Sequence, residues 1–225
     1  MIDTCIVIPV YNESQVISTV LDNLSFEDYL IVVVDDGSTD NSYEILRSYD
    51  IHLIKHPINL GQGAALMTGI TYATNLPGIK YIVSFDSDGQ HQASDIPRLI
   101  KPLIDEKCDV VLGSRFMRGA NVQNISPIRR ITLKLALVFT RISTGLNITD
   151  THNGLRAFTV QAAKKINITQ NRMAHASELL QQISRLNLKY LEVPVTILYT
   201  DYSMKKGQTL ANGIDILLDI IRGRF

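Results

Sequence analysis

Short apolar runs alternate along this chain with stretches that carry apolar residues at helical spacing, and this alternation constrains the fold more than any other feature. Thr4 to Val10 and Leu30 to Val34 read as strands, with Glu13 to Leu24 between them as a helix. The pattern repeats through Ile51 to Ile54, a helix over Gly63 to Thr74, Tyr81 to Phe85, a helix over Ser94 to Asp105, and Asp109 to Leu112. Parallel strands need crossover connections, so such βαβ punctuation predicts a mostly parallel, doubly wound α/β sheet with helices on both faces. The first 115 residues are expected to form that sheet, with Ser94 as a helix N-cap.

The second half is less regular. Ile128 to Thr144 reads as a helix with Arg129, Arg130, Lys134 and Arg141 set among apolar residues. A short strand near Ala157, helices over Thr159 to Ile166 and Ala174 to Leu186, a strand over Tyr190 to Tyr199 and a last amphipathic helix over Leu210 to Ile221 follow. Without an internal repeat or linker, residues 1–225 read as a single domain.

The chain has 225 residues, with 22 basic and 22 acidic side chains, so net charge points to no nucleic-acid partner. Local charge says more: no acidic residue lies between Val110 and Thr149, where Arg115, Arg118, Arg129, Arg130, Lys134 and Arg141 are found. Such a segment suits phosphate groups or an anionic membrane surface. Cys5 and Cys108, each in or beside an apolar run, read as buried free thiols of a reducing compartment. No signal-like leader follows Met1, and no uncharged apolar run is long enough to span a bilayer. The expectation is a cytoplasmic protein whose membrane contact is peripheral.

Chemistry concentrates where strands end. Tyr81-Ile82-Val83-Ser84-Phe85 empties into Asp86-Ser87-Asp88-Gly89-Gln90, and two carboxylates at i and i+2 of an extended chain share a face. Hard oxygen ligands of this kind suit Mg or Mn beside substrate phosphates, although Asp-x-Asp-Gly is also ordinary turn chemistry. Two further polar turns end strands, Pro9-Val10-Tyr11-Asn12-Glu13 and Asp35-Asp36-Gly37-Ser38-Thr39-Asp40. Three polar turns at one carboxyl edge match the position of ligand sites in open α/β sheets.

Together with Asn59-Leu60-Gly61-Gln62-Gly63-Ala64-Ala65 and Gly113-Ser114-Arg115-Phe116, these motifs occur in an order that resembles family 2 glycosyltransferases of GT-A, Rossmann-like fold. Within that family the likeness is greatest to the polyprenyl-phosphate (dolichol-phosphate) mannosyl- and glucosyltransferase group. Asp150-Thr151-His152-Asn153-Gly154-Leu155-Arg156-Ala157-Phe158 and Glu192-Val193-Pro194-Val195 extend it, so the resemblance covers about residues 4–207.

The resemblance implies a nucleotide-binding half up to about residue 115 and an acceptor half after it. Pro9, Tyr11, Asn12 and Glu13 would line the base and ribose pocket, with Asp36 on the nucleobase and Gly63 and Ser87 beside the nucleotide sugar. A metal would sit on Asp86 and Asp88, with Gln90 as a third ligand, and transfer would proceed with inversion. Arg115, Arg129, Arg130 and Arg156 would meet the acceptor phosphate, Arg115 and Asp88 also serving the reaction itself. The acceptor would be polyprenyl phosphate or another lipid-linked acceptor, with a small integral-membrane partner also conceivable. A hydroxyl acceptor would need a base, for which Glu178 comes first and Asp150 second. His91, His152 and His175 lack zinc spacing and read as supporting residues. The chain departs from the group at Lys205-Lys206-Gly207-Gln208 and at Gln62, where a Lys is usual.

A haloacid dehalogenase would continue its Asp-x-Asp with Thr where Gln90 stands, a receiver domain would carry its paired acids after the first strand, and Gly61-Gln62-Gly63 does not continue as a dinucleotide fingerprint. A non-catalytic nucleotide-sugar-binding protein on the same fold is the alternative of another class.

Overall fold

In a computed structural model, which describes residues 2–24, 28–123, 125, 127–172, 174–200 and 202 (side chains of 127–129 excepted), the strands gather into one central sheet. The strands are β1 Thr4–Val10, β2 Leu30–Asp35, β3 His52–Lys55, β4 Tyr81–Ser84, β5 Val110–Ser114, β6 Asn121–Gln123, β7 Arg156–Thr159, β8 Tyr190–Pro194 and β9 Thr196–Leu198. The helices are α1 Ile17–Leu24, α2 Ser42–Leu46, α3 Gln62–Thr74, α4 Ile96–Ile104, α5 Pro127–Thr144, α6 Val160–Ala163 and α7 His175–Arg185. Seven strands pair in the order β3-β2-β1-β4-β7-β5-β8, while β6 and β9 form a small parallel pair.

All seven residues of β1 are buried, which explains a continuous apolar run in place of an alternating one: both of its faces are covered. Ile6, Ile8 and Val10 pack toward α1, α2 and α4. Cys5 and Val7 face α3, α6 and α7. Pro9 is tolerated in this central strand because β4 pairs with β1 only from Thr4 to Val7; beyond that point β1 has a neighbour on the β2 side alone. The Pro9 carbonyl then accepts the Ser87 hydroxyl at 2.8 Å, so the turn after β4 is tied to the end of β1.

The main correction concerns the sheet's completion. It is not finished by the first 115 residues: β7, from the second half, inserts antiparallel between β4 and β5, and β8 joins the far edge. Because β7 runs the other way, its first residue, Arg156, lies opposite Ser84 and Leu112, at the edge where the parallel strands end. The loop entering β7 is thereby delivered to the same place as the loops leaving β1, β2 and β4.

Smaller differences have local causes. Ser94 lies inside a tight turn at Ala93–Asp95 instead of capping α4, and Asp95 turns its carboxylate to the Thr196 amide at 2.6 Å. The long strand expected to Tyr199 breaks at Val195, where β5 has run out of partners and the chain passes to β6. The helix expected to Ile166 ends at Ala163, the Lys165 and Ile166 amides turning back to Ala162 and Ala163. The last expected helix, Leu210 to Ile221, and Lys205-Lys206-Gly207-Gln208 lie outside the described residues.

Candidate active site

The turns after β1 and β2 are stitched together by their own side chains. Asn12 takes a left-handed backbone (φ 53°), and its Oδ1 accepts the Thr39 amide at 2.8 Å. Its own amide donates to Ser38 Oγ, and the Glu13 amide to Ser42 Oγ. Asn12 therefore shapes the wall of the pocket and braces Tyr11, which is 38% exposed beside it. The Tyr202 hydroxyl donates to Glu13 Oε2 at 2.7 Å, laying the chain after β9 across this wall. Sequence reasoning did not single out Tyr202, and nothing local marks it.

Asp36 is buried, and both of its oxygens are engaged inside the protein. Oδ1 meets His56 Nδ1 at 2.7 Å and the Leu60 amide at 3.0 Å, and Oδ2 accepts the Gly61 amide at 2.7 Å. In this arrangement Asp36 holds the Asn59-Leu60-Gly61 turn. Gly63 is equally constrained: its amide donates to the Asn171 carbonyl, and a Cβ there would collide with the Gln170 carbonyl oxygen. It brings the start of α3 against the 170–171 loop.

Asp86 and Asp88 emerge where β4 ends. Asp86 Oδ1 accepts Gln62 Nε2 at 2.9 Å and Oδ2 meets His91 Nε2 at 3.0 Å, while Gly154 packs so closely that a Cβ would overlap the carboxylate. Burial works against the charged form, but the hydrogen bond and charge of His91, with His175 and Arg156 nearby, hold Asp86 below the ordinary carboxylate range. Asp88 is held by the Gln90 amide at 3.1 Å and by Gln90 Nε2 at 2.7 Å. Gln90 is thus first a brace for Asp88. Among the described residues no three His, Cys, Asp or Glu side chains converge into a closed metal cage. Two anionic carboxylates, one in a cradle kept open by Gly154, nevertheless fit Mg or Mn, which take one or two protein carboxylates and complete their shell with phosphate and water. His91, read from the sequence as a supporting residue, and Gln62, noted there where a Lys is usual, are the side chains that hold Asp86.

The acceptor-half residues are more deeply committed than expected. Arg115 is 7% exposed: Nε donates to Asp150 Oδ2 at 2.6 Å, Nη1 to Tyr199 Oη at 2.7 Å and Nη2 to the His152 carbonyl at 2.8 Å. It ties β5, the 150–154 loop and the strand-end Tyr199 into one block, in place of an open phosphate ligand. Arg156, 3% exposed, donates to the Thr151 carbonyl, and burial lowers its pKa to about 10. Glu192 accepts the Thr149 and Asp150 amides, and burial raises its pKa.

Neither base candidate stands ready. Glu178 caps the 169–170 segment, accepting the Thr169 amide and hydroxyl and the Gln170 amide. Asp150 is buried against Arg115 and also takes the His152 amide. Five buried side-chain atoms in the described residues have no partner: Asp35 Oδ2, His91 Nδ1, Thr151 Oγ1, His152 Nδ1 and Asn153 Nδ2. Each such atom costs on the order of 1–3 kcal/mol.

Beyond this edge, α5 presents Ile131, Leu135, Val138 and Ile142 to the outside, each 55–80% exposed, with Arg130, Lys134 and Arg141 exposed among them. These four apolar positions follow i, i+4, i+7, i+11 and form one stripe. Ala136 and Thr140 face inward, and Arg141 Nε donates to the Ile148 carbonyl at 2.6 Å, linking α5 to the segment that enters the site. The side chain of Arg129 lies outside the described residues. No described helix is long and apolar enough to cross a membrane.

The profile of glycosyl transferase family 2 matches residues 5–167, which hold every strand-end turn of this site. The chain belongs to glycosyl transferase family 2. As a family 2 glycosyltransferase it is 34% identical, over 237 aligned residues, to UDP-N-acetylglucosamine–dolichyl-phosphate N-acetylglucosaminyltransferase of Methanococcus voltae, covering 96% of this chain and 94% of that protein. It is 26% identical to undecaprenyl-phosphate mannosyltransferase of Micrococcus luteus, over 89% of this chain and 85% of the relative. The resemblance to the polyprenyl-phosphate transferase group is therefore upheld. The fold superposes with a TM-score of 0.72 on glucosyl-3-phosphoglycerate synthase from Mycobacterium tuberculosis, crystallised with Mn2+, UDP and phosphoglyceric acid. That match covers 96% of this chain and 78% of the other at 18% identity, and establishes the shared GT-A fold.

Proposed function

We propose that this glycosyltransferase moves a hexose from a nucleotide-diphosphate sugar to the phosphate of a polyprenyl phosphate, with inversion, in cell-envelope or surface-polysaccharide synthesis. The observation that carries the acceptor class is the commitment of both base candidates: Glu178 caps a loop and Asp150 is locked to Arg115. A saccharide hydroxyl must lose a proton as it attacks, whereas a lipid phosphate is already an anion near neutral pH. The names of the Methanococcus and Micrococcus relatives point the same way.

In this reading the strand-end turns after β1 and β2 hold the nucleoside, and an oxygen of the lipid phosphate attacks the anomeric carbon from the face opposite the diphosphate. The bond from that carbon to the β-phosphate oxygen breaks as the new one forms, and the electron pair leaves with the nucleoside diphosphate. Asp86 and Asp88 would hold a divalent metal, Mg or Mn, which supplies neutralisation of the charge on the leaving diphosphate. Gln62 and His91 keep Asp86 oriented, and Gln90 keeps Asp88 oriented. The exposed apolar stripe of α5, with Arg130, Lys134 and Arg141 along one side of it, rests on an anionic bilayer surface and brings the lipid phosphate to the site.

The test is a matrix of UDP- and GDP-sugars against polyprenyl phosphate with Mn or Mg. Glycosylated lipid phosphate is expected, and turnover on free saccharides alone would overturn the acceptor class. Flotation with anionic vesicles tests the surface: Arg130→Ala with Lys134→Ala should release the protein, and unchanged flotation would remove the bilayer from the reading.

A further inference from the structure

The loop that enters β7 holds three consecutive residues whose side chains are unfinished. Its backbone is pinned throughout: Arg156 holds the Thr151 carbonyl, Arg115 the His152 carbonyl, Ser84 Oγ the Gly154 carbonyl at 2.7 Å, and Asn153 Oδ1 the Leu155 amide. What remains is Thr151 Oγ1, His152 Nδ1 and Asn153 Nδ2, all buried and without a partner among the described residues. Buried polar atoms in folded proteins are nearly always hydrogen-bonded, so three in a row require an explanation other than packing. Their neighbourhood supplies one. Gly154, the next residue, lies against the carboxylate of Asp86.

The chemistry of the three groups narrows the ligand. An amide nitrogen donates, a hydroxyl both donates and accepts, and a neutral imidazole nitrogen does either. Burial lowers the pKa of His152 to about 4, so the ring is uncharged at neutral pH. A set that is uncharged and both donating and accepting matches sugar hydroxyl or acetamido groups better than a phosphate. We infer that Thr151, His152 and Asn153 form the loop that reads the hexose of the donor, their side chains turning to its ring substituents when the diphosphate is held at Asp86 and Asp88. The inference rests on the donor being a nucleotide-diphosphate sugar. It makes these residues determinants of sugar specificity, with backbone and charge supplied by Arg115 and Arg156.

Thermal stability and donor use separate this role from a structural one, because the two predict opposite signs. In Thr151→Val an unpaired hydroxyl is removed at nearly constant volume, so the free protein should melt at the same or a higher temperature. Its kcat/KM for the preferred donor should nonetheless fall by about tenfold, the value of one hydrogen bond, with the ranking of UDP-glucose, UDP-N-acetylglucosamine and GDP-mannose compressed. Thr151→Ser should keep both. Asn153→Ser should change the ranking as well, while the affinity for UDP or GDP with Mn stays within about twofold, since the nucleoside and diphosphate are held elsewhere. A lower melting temperature with equal losses for sugar nucleotide and nucleoside diphosphate would make the loop structural and overturn the inference. Unchanged sugar ranking in both variants would do the same. Failure of the wild-type protein to bind any nucleoside diphosphate would instead bring down the donor reading, and this inference with it.

Discussion

The two halves of the site use polar residues in different ways. In the first half, the turns after β1, β2 and β4 are cross-linked by short side chains such as Asn12, Ser38, Ser42 and Ser87, which satisfy backbone groups and leave Tyr11, Asp86 and Asp88 partly open. In the second half, charged residues take over the structural work: Arg115 and Asp150 hold each other, and Arg115, Arg156 and Glu192 hold the 149–152 backbone, all four being buried or partly buried. The difference follows from the connections. The first half joins each strand to a helix through a short turn, so local chemistry suffices. The second must hold a long loop that enters an antiparallel strand from outside the βαβ pattern, and only long side chains span that gap.

The comparison can be broken most severely at Asp88, whose replacement by Ala should lower turnover by about a thousandfold with Mn present while the fold persists. Retained turnover, measured against polyprenyl phosphate, would remove Asp88 from the metal role. Next in size is Arg115→Ala, which leaves Asp150 buried without its partner and should cost about 3–5 kcal/mol in urea unfolding. Arg130→Ala, the same residue type on the exposed face of α5, should stay within about 0.5 kcal/mol. Equal costs would erase the distinction between internal ties and surface charge.

His152 sharpens the contrast through pH. Burial holds its folded pKa near 4 against an ordinary value of 6.5, so its neutral form is favoured by folding. The associated stability is complete above pH 6.5 and is lost as pH falls toward 4, by roughly 3 kcal/mol for this group. His175, also lowered by burial, acts in the same direction. Wild type and His152→Gln should be close in stability at neutral pH and separate as pH falls through that window, because the variant lacks the buried imidazole that must be charged. A smaller effect than that of Arg115→Ala is expected for Glu178→Gln. Loss of a loop cap should cost about 1–2 kcal/mol with turnover within roughly threefold, whereas a general base would give a loss of at least about a hundredfold.

Strand-end chemistry in the first half was legible because it is local: an apolar run followed by Asp86-Ser87-Asp88 marks both the strand and the carboxylates that follow its end. Buried Cys5 and Cys108 were legible for the same reason, Cys5 inside an apolar stretch and Cys108 just ahead of one. Arg115 and Arg156 were not. An Arg beside a strand end reads alike whether it meets a phosphate or a carboxylate, and the partner that decides, Asp150, is 35 residues away from Arg115 in sequence. The capping role of Glu178 was hidden on similar grounds, since its bonds run to a loop nine residues earlier.

By itself the sequence determined the alternation of strands and helices, the three polar turns and the resemblance that led to family 2 glycosyltransferases, because hydrophobic period and turn chemistry act over a few residues. The tertiary structure alone decided that β7 runs antiparallel between β4 and β5, that Arg115 and Asp150 pair, and that Thr151, His152 and Asn153 precede the Gly154 contact with Asp86 carrying buried polar atoms that have no partner among the described residues. Those outcomes depend on which distant segments share the low-dielectric interior, where an ion pair or an unpaired polar atom acquires its energy from surroundings that no local pattern encodes.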